Sequence, residues 1–186
     1  MVLTAEHFAG YIQELYEYPP FAWQERLLRF VLEHGEWPQL IAAPTGSGKT
    51  TVIDIHVFLN ALAQQDGLTI PRRLVMTVNR RNLIDDHAEH AEALAKRLAA
   101  PDPDEDKHLL QVRDLLLERN GGGAALQTAV IRGGIPLQLD WRMNPLATSV
   151  IAATPDMWGS RVLFRGYVTS RNARSLEAGL LTRDCV

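Results

Sequence analysis

The sequence predicts an α/β fold with a mainly parallel sheet. Short apolar runs rich in Val, Ile and Thr alternate along the chain with longer segments of helical period. Each run is separated from the next by enough residues for a crossover helix, which parallel pairing requires. One run, Gln39–Ala43, leads through a glycine-rich turn straight into an apolar helix.

The elements follow in order. Residues 4–17 read as a helix, with Thr4 able to cap it and Phe8, Tyr11, Ile12 and Leu15 on one face; Pro19-Pro20 stops it. A second helix runs from Ala22 to His34, with Gly35 just past its end. Gln39–Ala43 reads as a buried strand, and Thr50–Ala63 is apolar nearly all round, as a buried helix is. Arg73–Val78 is the second strand. The stripe Ile84, Ala88, Ala91, Ala95 and Leu98 marks a helix over Asn82–Ala99. After the acidic loop 101–106 another helix runs to Arg119, then the triple glycine 121–123. Leu126–Ile131 and Ser149–Ala153 complete the strands, and a further strand is expected to begin over the last residues, Leu180–Val186. Residues 1–37 form an N-terminal helical unit and 38–186 the α/β unit.

Composition narrows the classes. The chain has 186 residues, 46% hydrophobic and 22% charged, which is globular rather than disordered. The single cysteine, Cys185, excludes an internal disulfide and a cysteine-rich zinc site. The longest uninterrupted apolar runs, Leu40–Ala43 and Val150–Ala153, fall far short of the ~20 residues of a spanning helix. With no basic region at its start, the chain is expected in the cytoplasm and away from membranes. Net charge is −3, but residues 141–186 hold six Arg against three acids, so the C-terminal quarter is positive.

The strongest chemical signal is Ala43-Pro-Thr-Gly-Ser-Gly-Lys-Thr50, after a strand and before a helix. That is the context of a phosphate-binding P-loop. Gly46 and Gly48 let the backbone turn tightly and come close to a ligand. Backbone N–H groups from Pro44 through Thr45, Gly46, Ser47, Gly48, Lys49, Thr50 and Thr51 surround the expected phosphate position, except at Pro44, which shapes the turn. Lys49 supplies a cation to the β- and γ-phosphates, and the Thr50 hydroxyl a ligand to Mg²⁺. The expected ligand is ATP with Mg²⁺. Ala43 stands where the motif has its first glycine.

A loop of this Ala-x-Thr-Gly-x-Gly-Lys-Thr form resembles that of superfamily 2 helicases and translocases, whose first motor domain is RecA-like. In those proteins a Gln about 20 residues upstream reads the adenine edge beside an aromatic; Gln24 holds that place, with Phe21 or Trp23 able to stack. Three further stretches extend the likeness: Arg80-Arg-Asn-Leu-Ile-Asp85, Arg132-Gly-Gly134, and Ala153-Thr-Pro-Asp-Met-Trp-Gly-Ser-Arg-Val-Leu-Phe-Arg-Gly-Tyr167. Together they resemble the helicase–nuclease of type I CRISPR systems, subtype I-U or I-G, from about Pro20 onward. The resemblance implies an ATP-driven motor recruited to a guide-RNA surveillance complex to reel in and degrade displaced single-stranded DNA. By position it implies strand contacts at Arg80 and Arg81, Gly133 and Gly134, and Thr154 and Pro155, groups that bind phosphates without reading bases. Arg161 and Arg165, four apart, would share one helical face and meet DNA or an acidic partner.

Two parts of such a motor are missing from these residues. No Asp-Glu pair follows an apolar strand; Asp104-Glu105 lies in the acidic loop. No His-Asp dipeptide is present for the nuclease. The expectation is a first RecA-like domain ending before its Asp-Glu motif and unable to turn over ATP alone. Two other readings fit the same residues: a piece of another superfamily 2 DNA or RNA helicase, and a nucleotide-binding module without hydrolysis. His87 and His90 read as part of a helix face, His56 as a core histidine with one hydrogen bond, and Trp37, Trp141 and Trp158 as packing residues.

Overall fold

The computed structural model describes residues 2–136, 138–167 and 169–186. The described residues form an α/β architecture. In chain order it contains α1 (Phe8–Tyr16), α2 (Ala22–His34), α3 (Val52–Asp66), β1 (Arg73–Thr77), α4 (Arg81–Ala99), α5 (Lys107–Arg119), β2 (Gln127–Ile131), β3 (Ser149–Ala153), α6 (Pro155–Val162) and α7 (Arg171–Thr182). The sheet has the order β1-β3-β2, and both pairings are parallel. This arrangement is compatible with a Rossmann-like fold. No described helix is long and apolar enough to cross a membrane.

The central strand, β3, is buried at every residue, as a strand covered on both faces must be. Its apolar run, Val150-Ile-Ala-Ala153, is the signal that marked it in the sequence. On one side lies the larger core: α3, with Ile53 through Ala63 buried on every face, packs against α1, α2 and α5 through Phe8, Tyr11, Leu28, Val31, Phe58 and Val112. On the other, Ile131, Trp141, Ile151, Met157 and Leu181 form a smaller core under α6 and α7.

Three expectations need correction. Gln39–Ala43 is not a strand. The outer edge of β1 is taken at its start by residues 184–186, through Val75 N–H to Val186 O (2.8 Å) and Val186 N–H to Arg73 O (2.9 Å), and no described strand lies beside 39–43. Without a ladder the segment stays irregular, with Leu40 80% exposed. The strand that would carry the glycine loop in a P-loop fold is therefore not formed. Leu180–Thr182 closes helix α7, and the parallel bridge comes later, between Arg73 and Cys185. Helix α6 ends at Val162, before it can carry Arg165 on the same helical face as Arg161, in a Schellman turn: Phe164 N–H reaches Arg161 O (3.0 Å) and Arg165 N–H reaches Ser160 O (2.8 Å), with Phe164 itself left-handed at φ 61°.

Buried polar side chains tie the layers together. Glu177, 1% exposed, accepts from Arg142 Nη1 (2.7 Å) and Thr169 Oγ1 (2.9 Å) and pairs with Arg161 Nε (3.3 Å). Glu14 of α1 accepts from the His108 and Leu109 N–H groups, both at 2.9 Å, and so caps α5 across a helix–helix contact. Its other oxygen lies 2.5 Å from His108 Nδ1.

Candidate functional site

The glycine-rich loop is built as a tight double turn. Gly46 and Gly48 take φ of 79° and 69°, a region closed to most side chains, which is why the loop needs glycine there. A 3-10 turn, Lys49–Thr51, then feeds α3. The first N–H groups of that turn have no partner within the helix and lie at its positive end. Pro44, Thr45, Gly46 and Lys49 are exposed, Ser47, Gly48 and Thr50 half-buried, and Thr51 buried. Ser47 Oγ donates to Pro44 O (2.7 Å), closing the first turn. Lys49 folds back on its own loop, with Nζ 3.0 Å from Ala43 O and 3.1 Å from Pro44 O.

Helix α2 is bolted to this loop by its first turn. Trp23 Nε1 donates to Ser47 O (2.8 Å) and Gln24 Nε2 to Gly48 O (3.3 Å). Gln24 Oε1 accepts from Phe21 N–H (2.8 Å). Gln24 is 1% exposed, so its amide serves the loop rather than facing solvent. Phe21 is 46% exposed, and its ring lies so close to Gly48 that an added Cβ would sit 3.3 Å from Cε2. Phe21, Trp23 and Gln24 thus lie against the loop, with the Phe21 ring rather than the Gln24 amide presented to solvent.

The second set of residues gathers at the C-terminal ends of the strands. The three exits are bonded to one another: Val78 N–H to Ala153 O (3.2 Å) and Thr154 N–H to Ile131 O (3.1 Å). Arg132, after β2, reaches Asp85 on α4 (Nε–Oδ1 3.0 Å). Arg80 and Arg81, exposed at the start of α4, thus share one edge with the exposed Gly133–Gly134 turn and with Thr154–Pro155 at the start of α6. Parallel strands bring their exits together in this way, and that edge is the ligand side of open α/β sheets. One carboxylate joins them. Thr154, the local backbone N–H groups and the charge of Arg81 hold the exposed Asp156 carboxyl below its usual range.

Arg161 leaves the candidate set. It is 2% exposed, paired to Glu177, with Nη1 donating to Met157 O (3.0 Å). A guanidinium committed to a buried carboxylate holds α6 to α7 and reaches no strand. Arg165 lies past the end of α6 and is exposed, so the two arginines do not share a helical face.

One cluster escaped the sequence reading. Asp54, fully buried on α3, accepts from Tyr16 Oη (2.8 Å) and lies 2.8 Å from His90 Nε2 on α4. Burial opposes charge on His90, but the hydrogen bond and charge of Asp54 outweigh it and raise the imidazole pKa. The signal was present: a carboxylate in an otherwise apolar helix demands partners. His56 is the core histidine expected, 3.3 Å from Arg72 O. Among the described residues no group of three or more His, Cys, Asp or Glu is arranged to hold a metal ion. No family model, curated protein or solved structure matches the chain.

Proposed function

We propose that residues 43–51 bind the phosphates of ATP with Mg²⁺, and that the chain is the nucleotide-binding first motor domain of a superfamily 2 translocase acting on single-stranded DNA. The observation that carries this reading is the loop itself: two left-handed glycines leading to a helical N-terminus beside an exposed lysine. The residues fit the group. An added Cβ at Gly46 would meet nothing within 4 Å, so the turn is open to a ligand. Among the described residues Lys49 is held by two carbonyls of its own loop, contacts that an anion can replace. Thr50 follows as the hydroxyl for the metal, and Phe21 offers a face for the base.

The shared edge carrying Arg80, Arg81, Gly133, Gly134, Thr154 and Pro155 supports a phosphate track for the DNA strand. The likeness to CRISPR helicase–nucleases favours a guide-RNA complex as the partner. One observation favours binding without turnover: the sole Asp-Glu dipeptide, Asp104-Glu105, lies in the exposed loop between α4 and α5 rather than on a strand. Phosphoryl transfer depends on positioned carboxylates and cations, so hydrolysis by these residues alone is not expected.

Calorimetric titration with Mg²⁺-ATP and Mg²⁺-ADP tests the reading. Lys49→Ala removes a charge-assisted contact of about 1.5–3 kcal/mol, which weakens binding roughly tenfold to a hundredfold. Equal binding by wild type and variant overturns the phosphate site. Hydrolysis stimulated by single-stranded DNA and lost in Lys49→Ala overturns the expectation of no turnover.

A further inference from the structure

Immediately beyond the phosphate track, one face of α6 along its length and the turn after it line an open groove of about 580 Å³, bordered by Asp156, Gly159, Ser160, Leu163, Arg165 and Tyr167. Two of its lining side chains are large, apolar and in water: Leu163 is 69% exposed and Tyr167 59%; the neighbouring Phe164, 60% exposed, lies outside the lining. Phe164 occupies the left-handed position that glycine fills without strain, so this ring is displayed at a backbone cost. The polar groups available are few. Ser160 Oγ donates to Met157 O (3.0 Å), which leaves the Asp156 carboxylate, the Arg165 guanidinium and the Tyr167 hydroxyl.

We infer that this groove is a nucleobase subsite that prefers guanine, receiving a base from the single strand whose phosphates run over Arg80 and Arg81; the inference rests on that strand path. Flat apolar and aromatic surface beside an arginine is the chemistry that stacks unpaired bases. The ionised Asp156 repels phosphate and accepts hydrogen bonds only, so it selects a base edge rather than the backbone. Guanine presents two adjacent N–H donors that match the two carboxylate oxygens. Thymine presents one, flanked by carbonyl oxygens that a carboxylate repels.

Fluorescence anisotropy on the whole chain tests this with two twelve-nucleotide probes, oligothymidine and the same strand with every third thymidine replaced by deoxyguanosine, in lithium chloride to suppress quadruplexes. The guanine-bearing strand is expected to bind at least about fivefold more tightly, the discrimination of one good bidentate contact. Asp156→Ala removes that preference and tightens oligothymidine, whereas a carboxylate that merely repelled phosphate would leave the preference intact. Tyr167→Ala weakens the guanine-bearing strand more than oligothymidine. Arg80→Ala/Arg81→Ala flattens the slope of log K against log salt by up to about 1.4 and keeps the preference. Equal affinity for the two strands, or a preference that survives Asp156→Ala, overturns the subsite and leaves the strand path standing if the slope still flattens. An unchanged slope with the preference retained overturns only the strand path. If neither strand binds, the strand path fails, and guanosine monophosphate against thymidine monophosphate, read by the NMR signals of the Tyr167 ring, decides the groove alone: no shift overturns it.

Discussion

Removing the Glu177 carboxylate leaves two guanidiniums without their anion, and the consequence differs for each. Arg142 keeps 16% side-chain exposure and can turn to water, but Arg161 keeps 1% and cannot. Thr169 loses its acceptor as well. Breaking a buried ion pair from one side costs about 3–5 kcal/mol, because the remaining charge stays desolvated. Domains of this size hold about 5–15 kcal/mol in total, so Glu177→Ala removes a large share. At about 2–4 °C per kcal/mol for a chain of this length, the melting midpoint should fall by about 6–20 °C. Circular dichroism melts and urea titrations of wild type and variant measure it. Glu177→Leu combined with Arg161→Met should recover much of the loss, since an apolar pair of similar volume carries no stranded charge. A Glu177→Ala midpoint within about 2 °C of wild type would refute the reasoning.

The buried histidine gives a pH signature. Burial pushes His56 down to about 4, with the Arg72 carbonyl opposing and Arg119 assisting, so its contribution to stability is present above about 6.5 and is lost as pH falls through about 4, up to about 3 kcal/mol in all. His56→Leu should flatten that acid limb of stability against pH; an unaltered limb counts against it. His90, with its raised pKa, acts in the opposite sense: its contribution is complete below about 6.5 and fades as pH rises through the higher folded value, a trend that His90→Ala should abolish. Gly10→Ala should destabilise by about 1–2 kcal/mol despite alanine's better helix propensity, because the new Cβ would lie 2.3 Å from His108 Cε1, on a ring that Glu14 pins; a stabilised variant in urea titration would show that the ring gives way. Phe164→Gly should raise stability by about 1 kcal/mol by relieving the left-handed turn, and a loss in the same titration would mean that the exposed ring packs after all.

Apolar periodicity and capping chemistry were legible from residues alone wherever local and tertiary demands agree. Ser149–Ala153 and Ala22–His34 form within the bounds read from the sequence, and Gly35 takes its left-handed turn at φ 70°. The loop glycines take the left-handed turns their spacing implied, whereas Phe21, Trp23 and Gln24 were singled out by resemblance, and their contacts with the loop are tertiary. Gln39–Ala43 misled because an apolar run states a wish to be buried, not the presence of a ladder partner. Helix α7 was not foreseen because the residue at the centre of its inner face is Glu177, whose burial depends on Arg142 and Arg161, remote in sequence or on another helix. Arg161 reads as a surface cation until that carboxylate is known. The Asp54–His90–Tyr16 cluster joins three helices; the sequence marks the lone carboxylate of α3 but not which partners meet it.

The strand order also dictates when the sheet can exist. β1 and β2 never pair; among the three strands each is bonded to β3, the last in sequence, and the other edge of β1 meets only the still later residues 184–186, so Arg73 and Gln127 both wait for Ser149. During synthesis the helices α1 to α5 emerge with the first strand unpaired, and no ladder can close until residues near Ala153 have cleared the ribosome. Closure then brings two distant segments together at once across long loops, which is entropically slow. The unpaired Arg73–Thr77 and Gln127–Ile131 segments are accordingly the ones exposed to wrong pairing while the chain is incomplete, and Ser149–Ala153 sets the pace at which that exposure ends.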